Sequence, residues 1–322
     1  MDNYKFSKYL GFGLPALIIF AGGFMFLQTL FPSEGGTVFA AGTAPTASTT
    51  VIVGNAAPTV SAVVLNNAAS ITLTANATTA VNVNATITDN NGCSDITGGT
   101  STIMIYRSAI TSSTCLTTSS DLNCYRATAF TASSTCASNA QNTTTTFAVQ
   151  YFAQATDASS SFAAQNWLAT VVFKDTSNAT GTADSTGVEL LTLTALNITT
   201  SSINYGTLSA SSTTGSVNQV ATSTNAGNSS TTLQLSVNAA LTSGANSLAT
   251  STTQTYSTST FTFQGTSTFI TGSPVTVSGF FLTSPTSTTN VSQPTFWGLT
   301  VPAGIATGTY NGVNLFTSLF QV

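Results

Sequence analysis

Hydrophobic and polar residues alternate along several stretches of the chain, which is the pattern of β-strands with one buried face. The clearest stretch places Val81, Val83, Ala85 and Ile87 on one face and Asn or Thr residues on the other, and it ends in the turn sequence Asp89-Asn90-Asn91-Gly92. The same alternation occurs in further stretches, at residues 147–153, 167–173, 232–239, 297–301 and 310–320.

No stretch after Phe31 has a sustained helical period, and turn residues separate the predicted strands. Many short strands with turns between them are typical of antiparallel β-sandwiches. The sequence therefore predicts an all-β fold, in which an N-terminal hydrophobic helix is followed by two antiparallel sandwich domains. One segment fits this poorly, because the run of Ser and Thr residues from Thr250 to Thr260 has no turn signal.

The distribution of charge suggests where the two domains meet. Residues 41–57 are small and rich in Ala and Thr, as expected of a linker, and residues 58–187 contain all four cysteines. From Leu190 to Val322 the chain has no charged side chain. We therefore predict one sandwich over residues 58–187 and an uncharged one over residues 188–322. The strand at residues 189–198 either begins the second sandwich or bridges the two.

The N-terminal 40 residues predict export. Lys5 and Lys8 precede an uncharged apolar run from Tyr9 to Phe31, long enough for a bilayer, which needs about 20 residues. Lysines on this side should keep the N-terminus in the cytoplasm and send the remainder outward. Val38 and Ala40 match a signal-peptidase site before Ala41. Residues 1–40 are either a cleaved signal peptide, which the site favours, or a retained membrane anchor.

The four cysteines, Cys93, Cys115, Cys124 and Cys136, lie in one short stretch. An even, clustered set in an exported chain predicts two disulfides. A zinc site would need close pairs of cysteines, and these spacings are long and irregular. Three pairings are conceivable, and we favour Cys115 with Cys124, closing a hairpin-sized loop, inside a bridge between Cys93 and Cys136.

Composition excludes several classes of function. The chain has five basic and nine acidic residues, a net charge of −4, and no histidine. Nucleic-acid binding needs clustered Lys and Arg, and histidine is the usual general base and a common metal ligand. Ser and Thr fill about a third of the chain, a compositional bias of its own. We therefore expect a protein that is not an enzyme, has no cofactor and does not bind nucleic acid.

One group of residues suggests a metal. Asp89, Asn91 and Asp95 surround the turn beside Cys93 and offer oxygen ligands of the kind that calcium prefers. Turns use the same residue types without a metal, because Asp and Asn side chains bond to nearby backbone. The turn explanation is the stronger one at this stage, so no metal site is predicted. Asp157 and Asp175, near predicted strand ends, rank lower as ligands.

A family resemblance covers nearly all of the predicted exported part. The segments TVSAVVLNN, ITLTANATTAVNVNATITDNNGCSDI, IMIYRS, NCYRA and FAVQYFAQATDASSSFAAQNWLATVVFKD resemble the first Ig-like module of surface proteins predicted from genomes of uncultivated, small-genome bacteria. ALNITTSSINYGTLSASSTTGSVNQVATSTNAGNSSTTLQLSV and FWGLTVPAGIATGTYNGV resemble the Ig-like module that follows it. The resemblance implies an Ig-like fold and export, and it brings no catalytic residue.

These features predict an extracellular or cell-surface protein with a structural or adhesive role. A surface without charge lacks the usual protection of sheet edges against association. The expected partners are other surface proteins, glycans or copies of the chain itself, with the membrane as a further partner if residues 1–40 are retained. The alternatives are a carbohydrate-binding accessory module of a secreted system and a subunit of an extracellular filament.

Overall fold

The computed structural model describes residues 47–200, 202–289 and 291–321. The predicted hydrophobic segment Tyr9–Phe31 and the predicted cleavage site at Ala40 and Ala41 lie outside the described residues. Within the described ranges, no helix is long and apolar enough to cross a membrane. Residues 54–322 form one compact unit.

The described part is all-β, as the alternation predicts, and every strand pair in its sheets is antiparallel. The strands are β1 Thr59–Leu65, β2 Thr78–Thr88, β3 Thr100–Arg107, β4 Cys124–Ala127, β5 Thr131–Ala132, β6 Ala140–Gln150, β7 Trp167–Lys174, β8 Thr180–Asp184, β9 Leu196–Ile198, β10 Gln219–Asn225, β11 Ser230–Ser243, β12 Asn246–Leu248, β13 Gln254–Ser257, β14 Thr268–Phe269, β15 Val275–Thr276, β16 Ser292–Leu299 and β17 Asn311–Gln321.

Short helices interrupt the strands where the hydrophobic pattern shows no helical period. They are α1 Cys93–Thr97, α2 Ser112–Thr117, α3 Thr250–Thr253 and a 3-10 turn at Asn66–Ala68. None is longer than six residues. A helix of that length makes fewer than two turns, so it leaves no periodic signature in the sequence.

Strands β1 to β8 form the N-terminal sandwich. One sheet has the order β1-β2-β6-β5 and the other the order β4-β3-β7-β8. The inward faces of both sheets contribute to one buried cluster, in which Val81 and Phe147 from the first sheet pack with Ile103 and Val171 from the second. Val81, Val83, Ala85 and Ile87 are all buried, which confirms the predicted face of β2.

Strands β9 to β17 form the C-terminal sandwich, with its own buried cluster around Trp297. Its sheets have the orders β14-β13-β16-β10-β9 and β12-β11-β15, and β17 pairs with β11. The run that starts at Thr250 is not a loop throughout, because it forms α3 and then β13, where Thr255 is fully buried. The threonine side chain suits a strand, and here it lies inside the sheet.

The connection between the sandwiches bridges both cores. Val188 and Leu190 pack in the N-terminal cluster, and Leu196 packs against the C-terminal one. Residues 188–195 are therefore not a free linker. They run from one core to the other within a few residues, and hydrogen bonds tie them to both sides, as described below.

Candidate functional site

Three carboxylates come together at one end of the N-terminal sandwich. Asp89 directly follows β2, Asp95 lies in α1, and Asp175 directly follows β7. One carboxylate oxygen from each residue lies within 4.8 Å of the others. Asp89 and Asp175 are 1% and 4% exposed, and Asp95 is half-buried. The end of the sandwich thus holds three acids in a small and mostly buried volume.

The hydrogen bonds of the three carboxylates differ. Asp175 Oδ1 accepts from the backbone N–H of Ser177 (2.9 Å) and Ala179 (2.8 Å), and its Oδ2 accepts from Asn55 Nδ2 (2.8 Å). Asp89 Oδ1 accepts from the Asn91 backbone N–H at 2.8 Å, whereas its buried Oδ2 has no partner among the described residues. Hydrogen bonds to the charged form, above all the one from Asn55, lower the pKa of Asp175.

Asp95 and Asn91 complete the surroundings. Asp95 accepts a hydrogen bond from the hydroxyl of Thr176. The Asn91 side chain contacts the segment before β1 instead, since its Oδ1 accepts from the Ala56 N–H at 2.6 Å and its Nδ2 donates to Gly54 O at 3.3 Å. Of the three residues considered from the sequence, the structure thus groups Asp89 and Asp95, and it adds Asp175.

One of the two disulfides lies beside this cluster, whereas the other lies toward the opposite end of β3, where Cys124 pairs with Tyr106. Cys93, the first residue of α1, is bonded to Cys136, and Cys115 in α2 is bonded to Cys124 in β4. This is the pairing that the spacing favours, and the presence of disulfides is confirmed. The Cys93–Cys136 bridge ties α1, which carries Asp95, to the segment whose Asn139 O accepts from the Asp89 N–H at 2.9 Å.

A turn at residues 225–228 joins the two sandwiches. Asn228 Nδ2 donates to Ala153 O (2.9 Å) and Leu191 O (3.2 Å), and its Oδ1 accepts from the Leu193 N–H at 2.6 Å. A Cβ on Gly227 would lie 2.1 Å from Leu193 O, so only glycine fits at that position. One buried side-chain amide therefore holds the C-terminal sandwich against the N-terminal one.

The edge of β17 is unpaired in the described part of the chain. Thr231 exchanges backbone hydrogen bonds with Leu282, and Leu233 O accepts from Val277 N–H, so these residues of β11 face away from β17. Antiparallel pairing alternates, and Thr232 and Gln234 therefore face β17. By the same alternation Phe316, Ser318 and Phe320 direct their backbone N–H and C=O groups outward, away from β11.

A cleft of about 570 Å³ lies beside this edge, between the two sheets of the C-terminal sandwich. Its walls include Asn311 to Asn314 and Phe316 on the β17 side, and Ile198, Ile203 and Tyr205 on the other. The Tyr205 hydroxyl accepts from Gln254 Nε2 at 2.9 Å, and burial raises the pKa of Tyr205. The walls are mixed, with aromatic, aliphatic and amide groups, and carry no charge.

A smaller cleft of about 230 Å³ lies where the sandwiches meet, with Phe152, Phe162 and Phe320 among its lining residues. Ligand sites usually enclose about 300 to 1,000 Å³, so this cleft is small for an organic ligand. Beside it the buried Arg107 stacks on Phe162, 3.9 Å from the ring centroid, and donates to Gln154 Oε1 at 2.9 Å. Desolvation lowers the pKa of Arg107, and its partners are neutral amides rather than acids.

The sequence pointed to some of these features and missed others. Strand edges were expected as association surfaces, but nothing in the alternation showed that β17 would be an edge strand. Asp175 lies 86 residues after Asp89 in the sequence, and only the packing of the two sheets brings the two residues together. Asn228 carries no sequence signal for a junction between domains, since an Asn in a turn sequence is expected there for backbone reasons alone.

No family model and no curated protein matches the chain. Among solved structures, it is similar to a chain in the CsuC–CsuE complex of Acinetobacter baumannii, described as a chaperone and tip adhesion subunit pre-assembly complex from archaic chaperone-usher Csu pili. The match has 11% identity, covers 82% of this chain and 100% of that chain, and has a TM-score of 0.36. A likeness this distant does not establish a shared function.

Proposed function

We propose that this chain is a non-enzymatic, structural or adhesive protein of the cell surface, and that its copies assemble head to tail by strand addition. The observation that carries the proposal is the open edge of β17, with the uncharged cleft beside it. An extended strand that pairs with such an edge gains backbone hydrogen bonds. Contacts between its side chains and the adjoining cleft make the binding selective.

The occupant we propose for this edge is the segment Val51–Val53 of a second copy. Val51, Ile52 and Val53 are exposed and form no strand in the structure, although β-branched residues strongly favour strands. Three consecutive exposed aliphatic residues are costly in water, and a strand at the β17 edge would bury them. Both surfaces lack charge, so no electrostatic repulsion opposes the contact.

This arrangement is heterologous, because the segment and the edge are different parts of the chain. A heterologous contact that does not close into a ring continues as a filament. The buried junction at Asn228 supports the role, since it would transmit a fixed orientation from one sandwich to the next. The two disulfides fit an exported location.

The test compares variants of the full chain by analytical ultracentrifugation and negative-stain microscopy. Val313→Lys and Leu315→Lys place charge at the β17 edge, where these side chains are 51% and 47% exposed. A second variant replaces Val51, Ile52 and Val53 with Ser. Each variant alone should weaken assembly at least about ten-fold, because edge charge blocks strand pairing and Ser removes the buried apolar area.

Mixing the two kinds of variant sharpens the test. An edge variant still offers an intact segment, and a segment variant still offers an intact edge, so the mixture should form dimers and no filaments. Val217→Lys is the matched control, since Val217 is 67% exposed and lies in the turn before β10. Unchanged assembly in both variants, or equal loss in the control, would contradict the proposal.

A second candidate function is glycan binding in the same cleft. Tyr205 and Tyr310 offer aromatic faces, and Asn311, Asn314 and Gln254 offer amides, which is the mixture of groups that orients a polar ligand. Binding of a soluble polysaccharide that Tyr310→Ala abolishes, in a chain that stays monomeric, would favour this function over assembly.

A further inference from the structure

The acidic cluster of the N-terminal sandwich poses an electrostatic problem. Oxygens of Asp89, Asp95 and Asp175 lie within 4.8 Å of one another, and two of these residues are almost fully buried. Like charges at such distances repel, and burial strengthens the repulsion because less water screens it. Among the described basic residues, Arg107 and Arg126 donate elsewhere, and the side chain of Lys174 is exposed.

One carboxylate oxygen in the cluster has no hydrogen-bond donor among the described residues. Asp89 Oδ2 is buried and accepts no hydrogen bond from the described residues, whereas Asp89 Oδ1 accepts from Asn91 N–H. Buried polar atoms are normally hydrogen-bonded, and an unsatisfied charged oxygen is especially costly. A positive group held among the three carboxylates would offset both their mutual repulsion and the unsatisfied oxygen of Asp89.

The donor set and its spacing identify the chemical class of that group. The cluster offers only oxygen atoms, and hard cations such as calcium prefer oxygen. Calcium binds oxygens at about 2.3 to 2.6 Å, so two oxygens on one ion lie at most about 5 Å apart. The separations in the cluster satisfy this limit without rearrangement. Three carboxylates supply three to six of the about six to eight ligands, and water can supply the remainder.

The surroundings hold the carboxylates in place without a metal. Backbone N–H groups of Ser177 and Ala179 fix Asp175, and Asn55 fixes its other oxygen. The Cys93–Cys136 bridge restrains the helix that carries Asp95. We propose that Asp89, Asp95 and Asp175 bind one calcium ion, which fastens the loop after β2, α1 and the loop after β7 at the end of the sandwich. This site is independent of the assembly edge.

The test measures calcium binding by the full chain with isothermal titration calorimetry, after treatment with a chelator. We expect one site with a dissociation constant of about 0.1 to 1 mM, the range of extracellular calcium modules. Asp89→Asn and Asp95→Asn should each weaken binding at least about ten-fold. Asp175→Asn is less suitable, because the Asp175 carboxylate also orders the loop at residues 175–179.

Thermal unfolding separates a calcium site from a merely crowded cluster. Without calcium, Asp89→Asn should raise the melting temperature, because it removes one of three repelling charges while keeping the shape. With calcium, the natural chain should gain stability and the variant should not. Asp121→Asn is the matched control, since Asp121 is exposed and outside the cluster, and it should keep the full calcium response.

Two results would overturn the proposal. One is a melting temperature of the natural chain that is the same with millimolar calcium and with chelator. The other is a response to magnesium alone, which would exclude calcium as the ion. Failure of this site would leave the assembly variants unaffected, because Val313 and the Val51–Val53 segment are not part of the cluster.

Discussion

The two sandwiches have the same kind of core and very different peripheries. In the N-terminal sandwich Trp167 packs against Tyr125 with ring centroids 6.0 Å apart, and in the C-terminal one Trp297 packs against Tyr256 at 5.8 Å. Both indole rings are fully buried, and both N–H groups donate at 2.9 Å, to Gln154 O and to Thr295 Oγ1. Both sandwiches thus have the same arrangement at their centre, a buried and hydrogen-bonded tryptophan packed against a tyrosine.

Around these centres the two halves differ. The N-terminal sandwich has both disulfides and the acidic cluster, whereas residues 190–322 have no cysteine and no charged side chain. In the C-terminal sandwich, β17 pairs with β11 on one side, and its other edge is open among the described residues. The covalent crosslinks thus lie in the first module, and the strand edge on which the proposed assembly depends lies in the second.

Removing each tryptophan in turn should have the largest effect on the stability of the two sandwiches. Trp167→Ala and Trp297→Ala should each destabilise their own sandwich by about 4 to 5 kcal/mol, because a fully buried ring and its hydrogen bond are lost. Hydrogen exchange measured by mass spectrometry would locate the loss of protection. Equal loss in both halves from one substitution would show that the two cores unfold as one unit.

Removing the disulfides tests the periphery of the N-terminal sandwich. The bridges span 43 and 9 residues, so the chain-entropy model assigns them about 4 and about 3 kcal/mol. Replacing Cys93 and Cys136 with Ala should therefore cost more than replacing Cys115 and Cys124. Chemical denaturation of each double variant gives the values, and the reverse order would contradict the loop-length explanation.

The smallest expected effect is a difference in response to acid. The pKa of Asp175 is lowered in the folded chain, so its contribution to stability is present above the unfolded value of about 3.9 and is lost as the pH falls through the lower folded value. As the pH falls through that value in calcium-free buffer, the Ser177 and Ala179 amides should lose protection against hydrogen exchange. Residues 190–322 have no side chain that titrates between pH 6 and 2, so their protection should stay constant.

Local patterns predicted the strands well and the sites poorly. Alternation identified β2, β7, β11 and β17, because a half-buried strand displays its burial in the sequence. It extended β11 too far as a buried face, since Ala239 is exposed beyond the register shift of its pairing with β17. It also missed β13, where Ser and Thr fill a strand that tertiary contacts bury.

The sites depend on contacts between distant parts of the chain. The acidic cluster joins residues from two sheets, and the edge of β17 is defined by which strands do not pair with it. The disulfides could be predicted from the sequence because cysteines are few and their chemistry is specific. A carboxylate or an asparagine has many roles, so its position in the sequence alone does not select one.

The buried amide of Asn228 has a consequence for how the protein is produced. Asn228-Ser229-Ser230 matches the acceptor sequence for N-linked glycosylation, yet in the folded chain its nitrogen donates to Ala153 O and Leu191 O. A sugar attached to that nitrogen before folding would separate the two sandwiches. A host that glycosylates secreted chains should therefore yield protein with a loosened junction, and a bacterial host avoids this modification.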